Sequence, residues 1–132
     1  MLRSPLQSYK TISLETAPPG QLVLMLFDGA IKFLERAMLG FDIEDPLEMN
    51  ETVHNNITRA QDIINELNST LNMDQGGEVA VVLRDLYVYL DKRLFESNIR
   101  KESQGVQEVI DRLSTVQEGW SKMLEQEAAV AC

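Results

Sequence analysis

The chain has 132 residues, one cysteine, one histidine and a formal net charge of −9. That length suits one domain, and a hydrophobic fraction of 44% is enough to bury a core. The acidic balance argues against nucleic acid and anionic membrane as partners, the lone Cys132 excludes a disulfide framework, and no apolar run approaches the roughly 20 residues of a membrane span, so no membrane insertion is expected.

The N-terminus lacks the basic, apolar and small-residue order of a signal peptide, so a soluble cytoplasmic domain is expected. Charge is unevenly spread. Residues 41–76 hold eight acidic groups against one basic group, Arg59, whereas residues 77–102 hold five of each. The acidic segment reads either as a solvated helix face or as a flank that steers a partner.

Residues 1–17 precede any helical period. Leu2, Leu6, Tyr9, Ile12 and Leu14 are apolar points tied on by Pro18-Pro19. The segment reads as a cap that covers an apolar groove until a partner displaces it, or as a mobile tail. The remainder divides into a bundle domain, 18–127, and a disordered tail, 128–132.

The first predicted helix runs from Pro19 to Leu39, with Pro19 at the first helical position and Gly40 as a stop. Its apolar residues, including Leu24 and Ile31, fill an arc of roughly 200°. Two readings stand: a central helix wrapped by the others, or an arc that partly lines a groove. The second helix runs from Pro46 to Leu71. Asp45, Pro46 and Glu48 mark its start as a capping box.

The third helix runs from Glu78 to Asn98, after the Gly76-Gly77 break. Its main face is Val79, Ala80, Val82, Leu83, Leu86, Tyr87, Leu90 and Leu94. A second stripe, Val81, Val88 and Phe95 at spacing seven and then Ile99, lies on an otherwise charged side. Such a stripe receives an amphipathic helix, or else it contacts a loop or the N-terminal segment. The fourth helix runs from Gln104 to Glu127, with Ser103 as its cap. Gly119 inside it points to close approach of a neighbouring helix. Short connections between these helices predict an antiparallel four-helix bundle, all-α.

Chemistry is sparse. Glu51 and His54 form one Glu-x-x-His pair, but a di-iron bundle needs two, so no metal is expected. A phosphotransfer histidine is usually followed by Lys and Gly three and four positions on, where His54 has Ile57 and Thr58. Phosphotransfer through His54 stays an alternative, as does a structural bundle that self-associates through the surplus stripe. No catalytic residue is identified.

Three strings, LVLMLFDGAIKFL (22–34), AQDIINELNSTLNMDQGGEVA (60–80) and LYVYLDKRLFESN (86–98), resemble the flagellar secretion chaperone family, the FliS type. QSYK (7–10) and VQEGW (116–120) fit the same pattern. The resemblance implies a four-helix bundle that binds the disordered C-terminal segment of flagellin in the cytosol. It implies that premature assembly is prevented and that flagellin is delivered to the flagellar type III export gate, with no enzyme activity and no cofactor. By the same resemblance, Tyr9 and Ile12 cap the groove or dock at the export gate. Leu86, Tyr87, Tyr89, Arg93, Leu94 and Asn98 match a motif of mixed structural role. The groove contacts expected from periodicity are Val81, Val88, Phe95, Ile99, Leu24 and Ile31. The chain has Pro18-Pro19 where the family commonly has Ser-Pro, so the side-chain cap of the first helix is lost.

Overall fold

The computed structural model describes residues 19–131. They form four helices: α1 (Pro19–Gly40), α2 (Pro46–Ser69), α3 (Gly77–Arg100) and α4 (Ser103–Ala131). α1 packs on α2 and α4, and α3 packs on α2 and α4. The helices therefore stand at the corners of a square, with α1 and α3 on one diagonal. Side-chain bonds show the antiparallel sense. His54, Gln61 and Asn68 of α2 meet Asn98, Asp91 and Arg84 of α3, in reverse order.

The expected core face of each helix is largely buried. Leu26, Phe27, Ala30 and Leu34 come from α1, Ile57, Ile64 and Leu67 from α2, Leu90 and Leu94 from α3, and Val106, Val109 and Leu113 from α4. Phe27 and Tyr87 meet across the diagonal, with ring centroids 6.5 Å apart. α1 is thus a corner helix and not a central one. Its wide arc is shared between buried residues and half-buried ones, such as Val23, Ile31 and Phe33, that lean on the core.

The punctuation acts largely as the sequence suggests. Asp45 Oδ2 accepts from the Glu48 N–H at 2.9 Å, which satisfies one of the free donors at the start of α2. α2 stops at Ser69, two residues short of the expected Leu71, and Thr70 returns its N–H to Glu66 O. Asn72 then folds the linker, accepting from Gln75 N through its side chain and from Gly76 N through its carbonyl. Gly77 takes φ +56°, a conformation side chains disfavour, and opens α3 one residue early.

Four expectations change. Ser103 is the first residue of α4 and does not precede it, and the helix continues to Ala131 instead of ending at Glu127. Gly40 belongs to α1, and a Cβ there would lie 2.9 Å from Thr52 Cγ2, so its smallness serves the α1–α2 contact. Among the described residues, nothing lies within 4 Å of a Cβ placed on Gly119. The close approach on α4 is instead at Gly105, where a Cβ would collide with Ser97 Oγ.

Candidate functional site

Val81, Val88, Phe95 and Ile99 are 49%, 56%, 58% and 67% exposed. They recur along one outward line of α3, every seven residues and then four, so an apolar ridge runs along this corner of the bundle.

Both shoulders of that ridge are tied to neighbouring helices. On the α2 side, Arg84 Nε donates to Asn68 Oδ1 at 3.2 Å, and Asp91 Oδ1 accepts from Gln61 Nε2 at 3.1 Å. Asn98 pairs with His54 at 2.9 Å. On the α4 side, Glu108 gathers three donors: the Tyr89 hydroxyl at 2.6 Å, Arg93 Nε at 3.1 Å and Arg112 Nε at 3.0 Å. The Tyr89 bond, with the two arginines behind it, holds the Glu108 carboxyl below the usual carboxylate range. The Arg112 guanidinium also lies 5.3 Å from the centre of the Tyr89 ring. A ridge fixed on both sides presents its apolar groups without reorganising them.

This arrangement gives the motif residues of α3 distinct positions. Tyr87 and Leu94 are buried, and Leu86 is half-buried against the core. Tyr89, Arg93 and Asn98 are the struts to α4 and α2. His54 is exposed but engaged, because Asn98 occupies its Nδ1.

A second apolar surface escapes the periodicity. Val79 and Val82, expected on the core face, are 69% and 64% exposed. They lie two and one turns before Leu86, on the same side of α3. Leu86 and Val116 line an open depression of about 320 Å³ between α3 and α4. Further along α4 in that direction come Gly119, with its free space, and the partly exposed Met123. The α3–α4 seam is therefore tight at Ser97 and Gly105 and open toward the other end. Periodicity assigns a whole face to the core, yet α4 covers only part of it.

The remaining expected contacts lie elsewhere. Ile31 leans on the core. Leu24 borders a wide depression of about 570 Å³ between α1 and α4, whose other walls include Asp28, Ser114, Gln117, Glu118 and Lys122. Met25 joins Leu24 on its apolar wall, and polar side chains make up the rest of the lining. Both residues sit on the helix diagonal to α3, so they do not join the α3 ridge in one groove. Tyr9 and Ile12 lie outside the described residues. At the end where α1 begins, Val23, Phe27, Leu71, Leu83, Tyr87 and Trp120 enclose a cavity of about 180 Å³. Trp120 Nε1 donates to Gly20 O at 3.0 Å and closes its side.

A family model described as "Flagellar protein FliS" matches residues 2–127. The chain belongs to this family. The FliS-family chain is similar to flagellar secretion chaperone FliS of Salmonella typhimurium, 36% identical over 125 residues, covering 91% of this chain and 90% of the relative. It is 32% identical to flagellar secretion chaperone FliS of Bacillus subtilis over 126 residues, covering 96% and 90%. It is 32% identical to the Escherichia coli protein of the same name over 123 residues, covering 89% and 88%. Among the described residues, no helix is long and apolar enough to cross a membrane.

Proposed function

We propose that this chain is a cytosolic export chaperone, neither an enzyme nor a cofactor carrier. In this reading it binds the disordered C-terminal segment of flagellin, prevents premature polymerisation and delivers the client to the flagellar type III export gate. The observation that carries it is the exposed apolar surface of α3, on a bundle whose relatives are named secretion chaperones. Exposed apolar patches of this kind mark interaction sites.

The client segment lies along the ridge of Val81, Val88, Phe95 and Ile99 and crosses to the open α3–α4 seam. Full burial of such a side chain contributes about 1.5–3 kcal/mol. Ordering a disordered client costs part of that gain, so binding is firm but reversible. Contacts at Leu24 and Ile31 require the client to wrap the bundle, since α1 is diagonal to α3. Tyr9 and Ile12 act as the groove cap or gate contact. The apolar cavity beside the start of α1 supports a cap at that end.

The test is co-elution of flagellin with the chain and with its Val88→Asp/Phe95→Asp variant. Both positions are exposed, so the variant keeps the fold and loses the client. Undiminished co-elution would remove the ridge from the binding surface.

A further inference from the structure

Arg36 of α1 and Arg59 of α2 converge on one ring. Their Cζ atoms lie 5.3 and 5.7 Å from the Phe33 centroid, which places them no more than about 11 Å apart. Both arginines are exposed and Phe33 is half-buried. No carboxylate of the described residues pairs with either. The ion pairs there use Lys32, Arg93, Arg112 and Lys122. For Arg36 the local sequence explains this, since Lys32, Phe33, Leu39 and Gly40 stand one turn away. Arg59 is the sharper case. It is the sole cation of residues 41–76, among eight acidic groups, and it rests on Phe33 instead of an acid.

A second observation falls on the same seam. Gly29 faces Ile63, and Gly40 faces Thr52 and Val53. That register sets Asn56 level with Arg36, and Arg59 level with Phe33. Asn56 is 8% exposed. Its Nδ2 donates to Thr52 O, but its Oδ1 is buried with no partner. Folded chains normally pair such groups. The Asn56 oxygen is an acceptor that a carboxylate cannot use, so the unmatched donors at this level of the α1–α2 seam are the two guanidinium forks.

We propose that Arg36, Phe33 and Arg59 form a docking site for an acidic segment of a partner protein. Two carboxylates one helical turn apart, with Cβ atoms about 5–6 Å apart, take the two guanidiniums. An apolar side chain between them rests on Phe33. Arginine and aromatic residues are both enriched at protein interfaces. The net charge of −9 repels strongly acidic stretches, so the site selects two well-placed carboxylates on an otherwise neutral segment. Residues 1–18 carry Arg3 and Lys10 against Glu15, so the chain's own N-terminus is not the complement. The site is also separate from the α3 ridge and does not depend on what binds there.

The test is a nitrogen-15 NMR titration of the full chain. The probe is a blocked Ala/Leu peptide with two glutamates four positions apart, and the control is the same peptide with glutamines. Saturable shifts are expected at the Arg36 and Arg59 Nε–H groups and at the Phe33 and Asn56 amides. Binding should weaken about tenfold or more with the glutamine peptide and with Arg36→Gln/Arg59→Gln. Arg36→Lys/Arg59→Lys keeps the charge and loses the planar fork, and should fall between. Equal shifts from both peptides, shifts centred on α3, or no saturable shift at millimolar peptide would overturn the proposal. So would the same shifts appearing when the chain alone is concentrated, because the occupant would then be a second copy.

Discussion

Asn98, in the last turns of α3, holds His54 near the start of α2, with Nδ2 2.9 Å from Nδ1. Lys101 Nζ donates to Asn98 Oδ1, which sets the direction of the amide. Nδ2 is therefore the donor and His54 Nδ1 the acceptor, leaving the neutral imidazole proton on Nε2. With Arg84–Asn68 and Gln61–Asp91, this bond completes a polar row beside the apolar ridge.

Removing either partner should cost about 1 kcal/mol, the usual worth of a single hydrogen bond. Asn98→Ala and His54→Ala should also be non-additive by about 0.5–1.5 kcal/mol in a double-mutant cycle read by urea denaturation. Strict additivity would mean that the pair contributes nothing to the fold.

The two glycines of α4 should respond in opposite directions. At Gly105 an added methyl meets Ser97 Oγ and Arg93 Cζ, so Gly105→Ala should destabilise by about 1–3 kcal/mol. At Gly119 nothing is met, and alanine should stabilise by about 1 kcal/mol through helix propensity. Ser97 Oγ is buried without a partner, so Ser97→Ala should relieve part of the Gly105→Ala cost. Thermal melts of the four variants decide this.

Burial pushes the Tyr87 phenol up to about 12 from its ordinary 10. The folded state therefore keeps its proton where the unfolded state has lost it. The stability tied to the neutral phenol is complete below pH 10 and is lost as pH rises through about 12. Tyr87→Phe should show a shallower alkaline loss of stability than the parent chain. Identical slopes from pH 9 upward would place the phenol in water.

The two apolar surfaces of α3 can be separated. Val79→Asp/Val82→Asp and Val88→Asp/Phe95→Asp each change exposed positions and should leave urea midpoints nearly unchanged. Each pair should weaken flagellin binding about tenfold or more by calorimetry, which corresponds to about 1.4 kcal/mol. If only one pair does so, the client uses one surface and does not cross between them.

Much of this was legible from the amino-acid sequence, and the gaps have physical causes. Asp45, Pro46 and Glu48 mark the start of α2 because capping is local chemistry. Val81, Val88 and Phe95 stand out because a spacing of seven on a charged face needs no knowledge of the neighbours. Val79 and Val82 were hidden, since periodicity defines a face but not how far the next helix covers it. The same limit applies to Gly119, because its spacing does not say whether a neighbouring helix reaches it. Asn98 and His54 are 44 residues apart, and Arg36 and Arg59 meet only through the ring of Phe33. Such pairs depend on how two helices register, and between α1 and α2 a side chain at Gly40 would crowd Thr52.

In the proposed function, the client is held through flagellin's C-terminal segment. Calorimetry of this chain against full-length flagellin and against flagellin lacking that segment tests it most directly. A stable complex with the full-length protein and loss of measurable binding after the deletion are expected. Equal affinity for both would contradict it.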